Sequence, residues 1–112
     1  MICHTLVFSF GEDRTTAQCD AFLAQVREIC LESGMTSQVE ARRHLPLPND
    51  SYAQTFVSSA IVQIFCEDLD TVQRLSGYDT LVKFEHDQQQ KPYSVVWINH
   101  EPITPITPVA AA

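Results

Sequence analysis

The stretch Ile2-Cys3-His4-Thr5-Leu6-Val7-Phe8-Ser9-Phe10, closed by the turn residues Gly11-Glu12-Asp13, restricts the fold more than any other part of the chain. Side chains alternate faces along a strand, so His4, Leu6, Phe8 and Phe10 share one side and Cys3, Thr5, Val7 and Ser9 the other. The first side is bulky and apolar except for one imidazole. The second is small to medium-sized and only mildly polar. A strand with both faces partly apolar asks for cover on each. Helices over one face and a second copy of the chain over the other is the arrangement expected.

A chain of 112 residues has room for one domain with a hydrophobic core. With 45% apolar residues it is expected to be globular. Seven Lys plus Arg against 14 Asp plus Glu leave a net charge of -7, and no basic cluster exceeds Arg42-Arg43. Such a surface repels phosphate backbones and anionic bilayers, so neither nucleic acid nor membrane is an expected partner. No apolar run reaches the length of a membrane span, and Met1 leads straight into a strand without a signal-peptide pattern, so a cytoplasmic protein is expected. Cys3, Cys19, Cys30 and Cys66 form no C-x-x-C pair and read as ordinary thiols. His4, His44, His86 and His100 are equally scattered, and no metal site is signalled.

Farther along, Cys19, Phe22, Leu23, Val26, Ile29 and Cys30 keep a helical rhythm from about Thr16 to Ser33, stopped by Gly34. From Thr36 to Leu45, Val39, Ala41 and Arg43 alternate with polar residues as in an edge strand, closed by Pro46 and Pro48. A loop rich in turn residues follows. A third strand is expected from about Thr55 to Cys66, with a register that the pattern leaves open because its apolar run is nearly continuous. Asp68 caps a short helix holding Leu69, Val72 and Leu75; Ser76-Gly77 interrupts it, and it resumes through Leu81, Val82 and Phe84 to the polar run 87–90. The fourth strand is Tyr93 to His100, with Val95, Trp97 and Asn99 on one face and Val96, Ile98 and His100 on the other. The domain is expected over 1–102, followed by a proline-rich arm, 103–112, that repeats Ile-Thr-Pro.

The order β-α-β-β-α-β is the ferredoxin-like pattern of the α+β class, a four-stranded antiparallel sheet with its helices on one side. Its bare side would expose Val7, Val96 and Ile98, which predicts a homodimer through a twofold axis.

The first strand, with His4 inside Ile2–Phe10, resembles the opening Met-Ile-x-His-x-Val-x-Phe-x-Phe of the stress-responsive A/B barrel (Dabb) family. The junction Phe65-Cys66-Glu67-Asp68 and the closing strand at Trp97 are similar too, so that the resemblance covers about Met1 to Pro102. It implies a dimeric α/β barrel with one pocket per subunit between sheet and helices. It also implies cofactor-independent chemistry, as in the plant polyketide cyclase of that family, or a stress-associated role with no assigned reaction. The cyclase-type members use a Tyr and a His on the broken helix, within a His-Pro-x-His segment. Here the matching positions are Leu75, Tyr78 and Leu81, so that acid/base pair does not carry over.

The candidate catalytic residues are therefore His4 and Tyr78. A buried imidazole left without a partner costs about 1–3 kcal/mol, so His4 is either a structural residue bonded to a carbonyl or to Tyr78, or a general base or ligand donor working near neutral pH. Tyr78, after the helix break, either packs in the core or reaches inward. Leu6, Phe8, Phe22, Val26, Ile61, Leu75, Leu81, Phe84 and Trp97 are pocket wall or plain core, and Asn99 is a further polar candidate. Arg27 and Arg74 are either solvated rim charges or a grip for an acidic ligand. Three functions remain open: cofactor-free conversion of a small aromatic or polyketide-like metabolite; a non-catalytic, stress-responsive dimer binding a hydrophobic ligand; and a cofactor-free monooxygenase, whose pocket on the same barrel the Trp, Tyr and Asn resemble.

Overall fold

The computed structural model describes residues 1–54, 57–87 and 93–103. Strand β1 (Ile2–Phe10) lies in the middle of a four-stranded sheet. It pairs antiparallel with β3 (Ala60–Cys66) on one side and β4 (Tyr93–His100) on the other, and β2 (Gln38–Arg43) completes the order β2-β3-β1-β4. Helices α1 (Thr16–Glu32), α2 (Leu69–Ser76) and α3 (Asp79–Asp87) supply the second layer. This is the α+β, ferredoxin-like arrangement expected from the element order.

Helix α1 starts where its sequence can satisfy free amides. The Thr15 hydroxyl accepts from the Gln18 amide at 3.1 Å, and the Gln18 side chain accepts from the Thr15 amide at 2.9 Å, a reciprocal capping box. The helix ends before Gly34, whose φ of +73° only glycine adopts without strain. Its buried stripe is Phe22, Leu23, Val26, Ile29 and Cys30; Cys19 lies at the margin. Edge strand β2 turns Val39 into the core. Arg43 bonds Asp20 on α1 at 3.1 Å, and Glu40 and Arg42 pair at 3.3 Å.

The connection after β2 is more ordered than a plain loop. Pro48–Tyr52 forms a 3₁₀ turn around Asp50, whose carboxylate accepts from His44 Nε2 at 2.7 Å and from the Leu47 amide at 3.1 Å. These donors hold the Asp50 carboxyl below its ordinary range, the His44 bond contributing most. Strand β3 begins at Ala60 instead of Thr55; Thr55 and Phe56 lie outside the described residues, and Val57 to Ser59 are not strand. Pairing settles the register that sequence leaves open: Phe8 faces Ala60, Leu6 faces Val62 and His4 faces Ile64. Ala60, Val62, Ile64 and Cys66 therefore point toward the helices and are buried.

Asp68 caps α2 by accepting from the amide and hydroxyl of Thr71 at 2.8 and 2.7 Å. The break expected at Ser76-Gly77 is real: the Gly77 and Tyr78 amides donate to Arg74 and Leu75 carbonyls, closing α2 before α3 begins. The run 88–90 and the arm beyond Ile103 lie outside the described residues.

The helices cover one face of the sheet. On the other, Val96 and Ile98 are 61% and 58% exposed, with Val7 and Ile61 half-buried beside them.

Replacing Thr15 by Ala should remove the α1 cap and lower unfolding free energy by about 1 kcal/mol. Thr16→Ala, one residue inside the helix and exposed, should change it far less. Urea midpoints at constant m-value test the difference.

Candidate functional site

Because β1 and β4 pair with His4 opposite Asn99 and Leu6 opposite Trp97, these side chains stand together on the helix-facing side of the sheet. A cavity of about 690 Å³ lies above them, between sheet and helices. Its floor is His4, Leu6 and Phe8 from β1, Ile64 from β3, and Tyr93, Val95, Trp97 and Asn99 from β4. Phe22, Val26 and Cys30 of α1 form one wall. Leu69, Val72, Gln73, Leu75 and Ser76 of α2 with Leu81, Phe84 and Glu85 of α3 form the other. The gap owes its existence to the edge position of β4: Trp97 lines the cavity yet is 62% exposed, so the cavity opens to solvent past that strand.

One end is closed by aromatic rings. Phe22 meets Tyr93 at 4.8 Å and Phe84 at 5.5 Å between ring centroids, and Phe8 meets Phe22 and Tyr93 edge-on at 5.6 and 5.3 Å. The other end is polar. His4 Nδ1 lies 2.5 Å from Asn99 Oδ1. Facing an amide oxygen, Nδ1 carries the proton, which leaves Nε2 as the nitrogen with the lone pair. A neutral imidazole held in that tautomer can accept a proton from a bound molecule.

The expected partner for His4 was a carbonyl or Tyr78; the structure corrects this to Asn99. Tyr78 does not line the cavity. It sits between α2 and α3 with its ring half-buried against the core, and its carbonyl accepts the Val82 amide at 2.9 Å, the first turn of α3. Ile61 is also corrected: it pairs with Val7 and Arg42 and so faces the bare side of the sheet. Its expected place is taken by Ile64, because one residue of register reverses every side chain in a strand. Leu6, Phe8, Phe22, Val26, Leu75, Leu81, Phe84, Trp97 and Asn99 all reach the cavity. Arg27 donates instead to the Val39 carbonyl and Arg74 to Asp70 and Thr71, so neither lines it.

Sequence reasoning missed Cys30, Leu69, Val72, Tyr93 and Val95, and the polar Gln73, Ser76 and Glu85. The first five keep the apolar period of their helix or strand, so periodicity could have found them; Gln73, Ser76 and Glu85 carry no such signal, since they lie among polar helix residues. Burial pushes the Cys30 thiol up to about 11, and the neighbouring Cys66 and Glu85 add to the shift. At neutral pH it is a protonated, unreactive piece of wall. Burial and then Glu85 likewise raise the Tyr93 phenol, against a smaller opposing effect of Arg14. Among the described residues no cluster of His, Cys, Asp and Glu could hold a metal ion, and no helix is long and apolar enough to cross a membrane.

No family model matches the chain, and no curated protein matches it in sequence. Solved structures do match in fold. A Dabb family protein with a ferredoxin-like fold from Mesorhizobium loti superposes with a TM-score of 0.70 at 18% identity, over 92% of this chain and 97% of that one. SnoaB, a cofactor-independent oxygenase from Streptomyces nogalater, gives 0.69 at 8% identity, over 95% and 96%. A dimeric protein of unknown function and ferredoxin-like fold from Bacteroides fragilis gives 0.63 at 10% identity, over 90% and 95%. The ferredoxin-like fold of the subunit is thus the one the Dabb resemblance implied.

A thiol held above its ordinary pKa stabilises the fold fully below its unfolded value, and that contribution is lost as pH rises through the folded value. Unfolding free energy should therefore fall between pH 9 and pH 11, and Cys30→Ala should flatten the fall. Urea titrations across that range measure it; an unchanged slope in the variant would remove Cys30 as the cause.

Proposed function

We propose that this protein binds a small, largely apolar aromatic or polyketide-like metabolite in the cavity and converts it without a cofactor, with His4 as general base. The carrying observation is the His4–Asn99 pair on the floor of a cavity whose lining is mostly aliphatic and aromatic. An imidazole there can take a proton from an acidic C–H or phenolic O–H of a ring system lying along Trp97. Confinement by the surrounding walls would hold a flexible substrate near its reactive geometry. The anion so formed can close a ring on a carbonyl or react with oxygen.

The second branch has its own support, since the chain shares its fold with a cofactor-independent oxygenase. The cyclase branch does not have the acid/base pair of the cyclase-type members, because Leu75 and Leu81 are buried aliphatic residues where those members carry Tyr and His. Any cyclisation would have to run through His4 alone. In either branch the functional unit is a homodimer. The apolar back of the sheet supports this, as does the dimeric state of the Bacteroides fragilis protein of the same fold.

Incubated aerobically with anthrone, the wild type should consume oxygen if the oxygenase branch operates; ring closure of a linear polyketone without oxygen uptake identifies the other. His4→Ala should lower turnover by about 10²-fold or more with little change in melting temperature. Binding without turnover in the wild type would leave the non-catalytic, ligand-binding dimer. Sedimentation velocity at micromolar concentration should give twice the subunit mass, and Ile98→Asp, on the bare face, should give single subunits.

A further inference from the structure

Two hollows meet at one pair of rings. Phe22 of α1 and Phe84 of α3 line the main cavity, and the same two side chains line a smaller hollow of about 270 Å³ beside α1, together with Arg14, Gln18 and Gln25. The ring centroids are 5.5 Å apart and the planes are tilted by 30°. The partition between the two spaces is therefore one ring thick. A core ring is ordinarily held because its neighbours fill the space around it. Phe22 and Phe84 are just as buried, but the main cavity of about 690 Å³ leaves room on one side for a ring to swing without overpacking. Such a swing joins the hollow to the aromatic end of the cavity.

The hollow is polar where the cavity is apolar, and its polar groups are donors. Gln18 uses its carbonyl oxygen in the Thr15 cap, which leaves its NH₂ to donate. Gln25 stands about two turns farther along the same helix face. Arg14 is a half-buried guanidinium. Its charge is felt across the partition: it draws the Tyr93 phenol down, against the larger and opposite effects of burial and Glu85. Tyr93 lines the main cavity and meets Phe22 at 4.8 Å between centroids. Among the described residues the ion pairs engage Arg42, Arg43, His44 and Arg74, not Arg14. The stretch 88–92 after α3 reads Gln-Gln-Gln-Lys-Pro and brings no carboxylate.

We propose that the hollow is the head-group subsite of the cavity: Arg14 holds the carboxylate of an elongated aromatic acid whose rings pass between Phe22 and Phe84 toward Trp97. This rests on the cavity being the binding site proposed above. The path is short enough for one small molecule, since Tyr93 and Trp97 are four residues apart on one face of β4, about 13 Å. A biphenyl on a three-carbon tether spans it. Arg14 is partly solvated, so its hold on the acid is screened, and about fivefold in affinity is the scale to expect.

Two ligands of one skeleton test it: 4-(biphenyl-4-yl)butyrate and its primary amide, titrated by calorimetry with the fluorescence of Trp97, the one tryptophan of the chain, as second readout. The wild type should bind the acid about fivefold more tightly than the amide, and both should change Trp97 emission with the midpoint that the heat gives. Arg14→Gln should weaken the acid to the level of the amide and leave the amide unchanged. Gln18→Glu keeps a residue that can complete the capping box and sets a negative charge beside Arg14, so it too should weaken only the acid. An acid preference that survives Arg14→Gln overturns the proposal. So does an acid that gives heat but leaves Trp97 silent, because the hollow is then a site of its own. If acid and amide bind equally and both perturb Trp97, the subsite fails and the cavity reading stands. If neither binds, the cavity reading fails and takes this proposal with it.

Discussion

The double pairing of the first strand is the constraint on which the rest of the molecule depends. β1 is hydrogen-bonded on both sides, to β3 and to β4, and its residues are matched one for one across each ladder. His4 stands between Ile64 and Asn99, and Leu6 between Val62 and Trp97. Since side chains alternate with a period of two, a slip of one residue in either ladder would separate the imidazole from the amide and send one of them to the bare face. The polar end of the cavity is thus a consequence of register before it is a matter of side-chain chemistry.

The cavity arises from incomplete cover. The buried stripes of the helices close over the inner strands: Val62, Cys30 and Cys66 are among the least accessible side chains. β4 lies at the margin of that cover, and its residues grow more exposed from Tyr93 toward His100. The break at Gly77 splits what would have been one helix into α2 and α3, whose inner faces both look onto the space above β1 and β4. A continuous helix could follow only one straight line across the sheet. The same edge position leaves Trp97 half in and half out of the cavity, where a large amphipathic ring is least costly.

The two faces of the sheet divide the work. On the helix side lies a largely apolar chamber with a few polar groups. On the other side Thr5 and His100 bond at 2.7 Å, flanked by exposed Val96 and Ile98 and, on β2, by the Glu40–Arg42 pair. That side has the composition of a surface that meets another surface: apolar at its centre, polar at its margins.

From the sequence alone come the order of elements, the α+β class, the capped and glycine-stopped first helix, the broken second one, and the alternation that puts His4 with Leu6 and Phe8, and Asn99 with Trp97. These rest on local rules: periodicity, capping and turn chemistry act within a few residues. Only the tertiary structure decided that His4 answers to Asn99 and not to Tyr78, since the two lie 95 positions apart and meet through strand pairing. It also moved Ile61 off the cavity and brought Ile64 onto it, because a nearly continuous apolar run carries no information about which face is which until a neighbouring strand fixes it. Glu85 was illegible for a related reason. A charged residue on a short helix looks solvated in sequence, and it becomes a cavity wall only where the sheet beneath it runs out of helix to cover it.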